Sequence, residues 1–235
     1  MEKLRIHKYL AQSGVCSRRK AEEYIDKGFV FVNGEKATIG QIIDPEVDSI
    51  KVQEELIKKT EKFVYYKINK PRGVVTTCKS LGEKAIVDII DIPERVFPIG
   101  RLDKDTTGLI LLTNDGRLSN YLIHPRYEHE KEYIVQVYGT IQDEQLEKLS
   151  RGIFILGKIT KEAKIERINS GAFSIVLTEG RNRQIRRMVA SIDKEVKKLK
   201  RIRIENILLG DLKEGEYEEL SKKELDALFK RIGLE

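Results

Sequence analysis

An α+β fold in two domains is what the amino-acid order predicts, and three observations carry that prediction. The chain has 235 residues, enough for one or two cores at roughly 150 residues per domain. Beyond residue 63, strand and helix candidates follow one another without the regular strand–helix–strand rhythm of a parallel sheet. Between them and the N-terminal part lies EELIKKTEK (54–62), charged and weakly patterned, which reads as a domain boundary or as a strand end with a loop. The expected domains are 1–60 and 61–235.

In the first domain, Leu4–Gln12 carries a helical pattern closed by Gly14. Ser17 is a suitable N-cap for a second helix, with Ala21, Tyr24 and Ile25 on one face and Gly28 at its end. The period then changes. Phe29–Val32 reads as a strand, Asn33-Gly34 as the preferred two-residue hairpin turn, Glu35–Ile39 as the return strand and Ser49–Val52 as a further strand. In the second domain the strand candidates are Phe63–Ile68, Leu109–Thr113, Lys131–Tyr138, Ala172–Leu177 and a long Val196–Leu209. The helix candidates are Ala85–Ile90, Leu118–Ile123, Asp143–Ser150, Asn182–Ile192 and Ser221–Ile232. The last opens with Ser221 and Glu224 in capping-box spacing, and Leu225, Leu228, Phe229 and Ile232 form its apolar stripe.

Composition narrows the function classes. With 40% hydrophobic and 35% charged residues, the chain is apolar enough to fold and ionic at its surface, which excludes wholesale disorder. No apolar run approaches the length of a membrane span, and MEKLRIHKYL lacks the apolar stretch of a signal peptide, so a cytoplasmic protein without membrane contact is expected. Cys16 and Cys78 lie far apart with no accompanying His/Cys cluster, so neither a disulfide framework nor a metal site is expected. His7, His124 and His129 are scattered and receive no catalytic role. The net charge is +6, yet Arg181–Arg203 alone holds ten Lys/Arg against Asp193 and Glu195. Such grouping is either a solvated basic face or a phosphate-binding one, and the arginines favour the second because guanidinium grips phosphate in a bidentate fashion.

Two segments invite chemistry. Arg18, Arg19 and Lys20 occupy the first turn of the second helix, where the helix dipole disfavours cations by about 0.3–1 kcal/mol each. A docked phosphodiester would compensate, using free backbone N–H groups and the three side chains; the bland alternative is an exposed turn tolerating charge in water. In FPIGRLDKDTTGLILLTNDG, Pro98 and Gly100 bend the chain before it re-enters an apolar strand at Gly108–Leu112, so Asp103 sits at the edge of a core. It either caps a turn or is held ionised as a nucleophile or base.

Residues 6–40, IHKYLAQSGVCSRRKAEEYIDKGFVFVNGEKATIG, resemble the alpha-L RNA-binding module first known from a small-subunit ribosomal protein. GRLDKDTTGLILLTNDG resembles the signature loop of pseudouridine synthases; KPRGVVTT (70–77), HEKEYIVQV (129–137) and LTEGRNRQIRRM (177–188) resemble further blocks of that family, in its order. Together they span nearly the whole chain and resemble the RsuA/RluB/RluF class of ribosomal-RNA pseudouridine synthases. Lys104-Asp105, HEKEY, ILGKITK (155–161) and NRQIRRM lean toward the RluF type. One departure is Arg183, where histidine often precedes the glutamine.

The resemblance implies a mixed, mainly antiparallel catalytic sheet and isomerisation of a uridine in a structured stem-loop of large-subunit (23S) ribosomal RNA. Transfer RNA is a further candidate substrate, and the enzyme is expected to be a monomer needing no cofactor. It implies that Asp103 is catalytic, attacking the ribose C1′ or removing a ribose proton. Arg186 would pair with Asp103 and lower its pKa. Tyr133 would stack on the displaced uracil and offer its hydroxyl for the late proton transfer, its alternative being an ordinary core tyrosine. Arg101 fills the gap left by the flipped base or merely tightens its loop. Arg181, Arg183 and Arg187 are expected phosphate contacts, with Lys70 and Arg72 as further RNA contacts and Arg18, Arg19 and Lys20 as those of the small module. Two other classes compete: a non-catalytic RNA-binding assembly factor, and a glycosidase using Asp103 and Asp105 as its paired acids.

Overall fold

The computed structural model describes residues 3–53, 55–56, 62–79 and 82–234. It divides into two units. The first runs through Val64 and takes in Ile92–Val96 and Asn114–Gly116; the second comprises Tyr65–Asp91, Phe97–Thr113 and Arg117–Glu235. Of the segment expected to mark a boundary, residues 54 and 57–61 lie outside the described residues.

The first unit is built from β1 (Leu4–Arg5), α1 (Ile6–Gln12), α2 (Arg18–Asp26), β2 (Val30–Val32), β3 (Glu35–Lys36), β4 (Ile42–Ile43), β5 (Ile50–Val52) and β6 (Glu55–Leu56). The helix expected from Leu4 begins later, because Leu4 and Arg5 pair with Ile43 and Ile42 as a two-stranded ribbon, a long-range pairing that local periodicity does not register. Ser17 caps α2, its hydroxyl accepting from the Lys20 N–H at 3.2 Å. The Asn33-Gly34 turn joins β2 to β3 as expected. Ile6, Leu10, Ala21, Ile25, Val30, Ile43 and Ile50 form the core.

The second unit contains β7 (Tyr65–Lys70), β8 (Phe97–Ile99), β9 (Thr107–Thr113), α3 (Gly116–Ile123), β10 (Lys131–Val137), α4 (Asp143–Arg151), β11 (Phe154–Ile155), β12 (Lys158–Ile159), β13 (Lys164–Asn169), β14 (Ala172–Leu177), α5 (Gln184–Ala190), β15 (Val196–Ile204), β16 (Ile207–Leu208), β17 (Tyr217–Glu219) and α6 (Lys222–Ile232). Its main sheet has the order β13-β14-β10-β15-β9-β7-β17, with β16 on β15 and β8 on β9. Every pairing is antiparallel except β9 with β15, which makes the sheet mixed and mainly antiparallel. Helices α4 and α5 pack Leu146, Leu149, Ile185 and Met188 against Val135, Phe173 and Leu199. Helices α3 and α6 pack Leu118, Leu122, Leu228 and Ile232 against Leu109, Leu111 and Ile204.

Three expectations need correction. The long strand Val196–Leu209 breaks at Glu205, whose φ of 49° turns the chain back into β16. The helix Asn182–Ile192 shortens to α5 because Arg183 takes a left-handed φ of 51°. The segment Ala85–Ile90 makes only one 3-10 turn, Ile86–Ile89. Strands β8, β13 and β17 carried no signal strong enough to read. The sequence of β13, KIERIN, is polar and mostly exposed, and YEE of β17 is a three-residue edge.

Candidate active site

The loop 100–106 between β8 and β9 is fixed by its backbone. Thr76 Oγ1 donates to the Leu102 carbonyl at 2.9 Å and accepts from the Leu102 N–H at 3.2 Å. Gly73 N–H donates to the Lys104 carbonyl at 2.8 Å, and Thr106 N–H closes a turn onto the Asp103 carbonyl at 3.0 Å. The KPRGVVTT segment is thus a splint for GRLD. Lys70 belongs to that splint: it is fully buried, and its ammonium donates to the carbonyls of Pro71 (2.9 Å) and Val74 (2.7 Å). This corrects the expectation that Lys70 touches RNA. Burial depresses its pKa to about 8, against the pull of Asp105, Glu214 and Asp103.

Asp103 is half-buried and lines a cavity of about 470 Å³ together with Arg101, Tyr133, Arg183 and Arg186. A second concavity against the same loop is lined by Arg72, Arg101, Asp103, Lys104, Asp105 and Arg183. Asp103 and Arg101 therefore stand where the two meet, and both Arg101 and Arg72 are exposed.

The guanidinium partners are exchanged relative to expectation. Arg186 Nη2 pairs with Asp105 Oδ2 at 3.0 Å and donates to the Asp105 carbonyl at 3.2 Å. Asp103 Oδ2 lies 3.7 Å from Arg183 Nη1, and the same guanidinium holds both oxygens of Asp105 at 3.3 Å. The reason is local: Arg183, at the left-handed entrance to α5, reaches both carboxylates of the loop, whereas Arg186 one turn later meets only Asp105. Burial opposes ionisation of Asp105, but the hydrogen bond from Arg183 and the charges of Arg186 and Arg183 outweigh it and hold the carboxyl below its ordinary range. Arg183 is thus a carboxylate partner, not a free phosphate contact.

Arg181 also departs from expectation. Its guanidinium is spent on Glu179 at 3.1 Å and on the carbonyls of Lys158 (3.0 Å) and Ile159 (2.7 Å), which tie the β11–β12 hairpin. Arg187 is exposed and donates to the Asn182 carbonyl at 3.1 Å. In the first unit Arg18 and Arg19 are exposed. Lys20 is neutralised by Glu23 at 2.7 Å, and Arg18 reaches His7 at 2.9 Å, so part of the compensation expected from an anion is intramolecular.

The far wall of the cavity holds groups that motif reading passed over. Tyr133 on β10 faces Arg201 on β15, and Arg201 in turn faces Gly108 on β9. Arg201 is buried, with Nε donating to the Leu109 carbonyl at 2.7 Å. Lys131, two residues before Tyr133 and on the same face of the strand, donates to the His129 carbonyl at 3.0 Å. Burial, aided by the charge of Arg201 and opposed by Glu205, lowers the Lys131 pKa to about 8. His129 Nδ1 lies 3.1 Å from Glu205 Oε1, and Arg231 pairs with the other oxygen. The only available signal was the alternation that places residues 131, 133 and 135 on one face; Arg201 had no signal beyond membership of a basic run. Among the described residues, no group of three or more His, Cys, Asp or Glu side chains could hold a metal ion, and no helix is long and apolar enough to cross a membrane.

Comparison with known proteins returns two family models: RNA pseudouridylate synthase over residues 64–191 and the S4 domain over residues 4–48. The chain is 46% identical over 231 residues to the dual-specificity RNA pseudouridine synthase RluF of Escherichia coli strain K12, covering 97% of this chain and 79% of the relative. It is 41% identical to ribosomal large subunit pseudouridine synthase B of Bacillus subtilis, covering 95% of each. A crystal structure of a pseudouridylate synthase matches with a TM-score of 0.71 at 32% identity, over 96% of this chain and 99% of that one.

Proposed function

Because the chain belongs to the RNA pseudouridylate synthase family and carries an S4 domain, we propose that it isomerises one uridine of large-subunit (23S) ribosomal RNA to pseudouridine. Residues 1–60 dock structured RNA, and residues 61–235 carry out the chemistry. The observation that supports this most directly is that Asp103, Tyr133 and the Arg183/Arg186 pair share one cavity large enough to admit an extruded nucleotide.

The target nucleotide leaves its stack, at a cost of a few kcal/mol, to bring its ribose to Asp103. Asp103 then attacks C1′ or takes a ribose proton. Both routes break the C1′–N1 bond with its electron pair leaving on uracil. The detached base turns and C5 bonds to C1′, displacing the Asp103 carboxylate on the first route or, on the second, with Asp103 returning its proton to the ribose carbon; the C5 proton then departs and N1 ends protonated. The ring of Tyr133 stacks on the base, and its hydroxyl serves the C5 proton transfer. Arg183 orients Asp103 directly, while Arg186 acts through Asp105. Arg101, exposed beside Asp103, occupies the space vacated by the flipped base. Arg72, Arg187, Arg18 and Arg19 contact phosphate. The name of the Bacillus relative supports a large-subunit substrate, and the words "dual-specificity" in that of the Escherichia relative support a second RNA, for which we favour transfer RNA. The substrate element is a stem-loop, and the enzyme acts as a cytoplasmic monomer.

Tritium release from C5-labelled uridine in ribosomal RNA fragments tests this reading. Wild-type protein should release tritium and Asp103→Asn should not, with RNA affinity retained; absence of release by the wild type would favour the binding-protein alternative, and free uracil the glycosidase.

A further inference from the structure

Two cations line the cavity wall beside Tyr133 without a carboxylate to neutralise either. Lys131 and Arg201 are close enough for each to feel the other's charge, and among the described residues neither has a carboxylate at ion-pair distance. Arg201 Nη2 is buried and without a hydrogen-bond partner, as is His129 Nε2 on the same wall. Glu205, the acid of this region, is engaged by His129, Arg231 and the Glu130 N–H. A buried guanidinium nitrogen left unpaired beside a second cation costs more than an apolar replacement would. Such an arrangement is stable in function only if an electron-rich ligand arrives to meet it.

We propose that Lys131 and Arg201 form a cationic floor that binds the carbonyl oxygens of the target uracil and takes up the negative charge it acquires when the glycosidic bond breaks. The inference rests on the pseudouridine synthase reading and deepens it. When C1′–N1 cleaves, the bonding pair stays with the base and delocalises over N1, O2 and O4, giving a uracil anion; the ribose carbon is left to Asp103 or to the adjacent carbon that lost its proton. Fixed donors at the carbonyls stabilise that anion more than the neutral base, so they lower the barrier rather than merely tighten binding. They also keep the detached base in the cavity while it turns, because O2 and O4 exchange places against the floor without leaving it. Placement supports the assignment. Tyr133, Arg201 and Gly108 lie in one row across β10, β15 and β9, so the residue that stacks on the ring and the residue that meets its edge are cross-strand neighbours. Gly108 contributes no side chain to that row.

The test compares single-turnover rates on ribosomal RNA fragments carrying either uridine or 5-fluorouridine at the target. The substituent makes the departing base a more stable anion that needs less help. Lys131→Met should lower the rate on uridine by about a hundredfold, the scale seen for loss of one such donor, with RNA affinity unchanged. Its deficit in consuming 5-fluorouridine, read by mass spectrometry of nuclease digests, should be much smaller. Lys131→Arg should restore most of the rate, and Arg201→Lys should show the same substrate-dependent deficit. Circular dichroism and melting establish that each variant is folded. Wild-type rates in the folded variants, or equal deficits on both substrates, would overturn the floor while leaving the parent reading intact. Failure of the wild type to make pseudouridine would overturn both.

Discussion

Asp103 gains its position from its neighbours' backbone as well as from its side-chain partner Arg183, 3.7 Å away. Leu102 is clamped by Thr76 and Lys104 by Gly73, so the carboxylate is presented by a loop that cannot slide. Lys70 completes the clamp from below, and its burial gives a pH signature. Its pKa in the folded chain is about 8, below the ordinary lysine value of 10.5. A cation with a lowered folded pKa penalises folding while both states are protonated, and the penalty fades as pH rises from the folded value to the unfolded one. Stability of the wild type relative to Lys70→Met should therefore increase from pH 8 to pH 10, by up to about 1.4 kcal/mol per pH unit. Urea titrations of both proteins across that range measure it, and a flat difference would refute the assignment.

At the scale of elements, the parallel junction of β9 with β15 is the tightest constraint in the catalytic unit. Gly108 has φ of +106°, and a Cβ placed there would lie 2.1 Å from the Arg201 carbonyl oxygen. Gly108→Ala should cost more than about 3 kcal/mol, combining backbone strain with a clash that neither strand can relieve; a denaturant melt within 1 kcal/mol of wild type would show that the junction yields. Helix α6 provides the contrasting case. Ser221 accepts from the Glu224 N–H at 3.3 Å while the Glu224 carboxylate accepts from the Ser221 N–H at 2.9 Å, a complete capping box outside the cavity lining. Ser221→Ala should lower stability by about 1 kcal/mol and leave tritium release unchanged. The box was readable because its whole signal lies within four residues. The narrower α5 was not, since the left-handed turn at Arg183 depends on what the loop 100–106 offers its side chain.

For the molecule as a whole, the basic surplus is distributed less simply than the charge count suggests. Of the ten basic residues between Arg181 and Arg203, several are already committed: Arg181 to hairpin carbonyls, Arg183 and Arg186 to Asp105, and Arg203 to Glu130 and Glu132. Exposed Arg187 and Arg72 are better placed to meet phosphate. Replacing either by Gln should weaken RNA binding across sequences and reduce the slope of log affinity against log salt by about 0.7–0.9; replacing Arg181 should leave that slope unchanged and loosen the hairpin instead. Filter binding between low and moderate salt separates these outcomes.

The sequence by itself determined what is local or modular. It specified the α+β class, the capped helices, the hairpin turn at Asn33-Gly34, the small RNA-binding module and the loop bearing Asp103. Each of these is encoded within a few residues, or in blocks whose order resembles a known family. Tertiary structure decided which charges meet. The exchange of partners that joins Arg186 to Asp105 and Arg183 to Asp103, the burial of Lys70, and the meeting of Lys131 with Arg201 all arise from strand register and helix entry. Electrostatic interaction falls off over a few ångströms, so an offset of one residue in either selects a different partner.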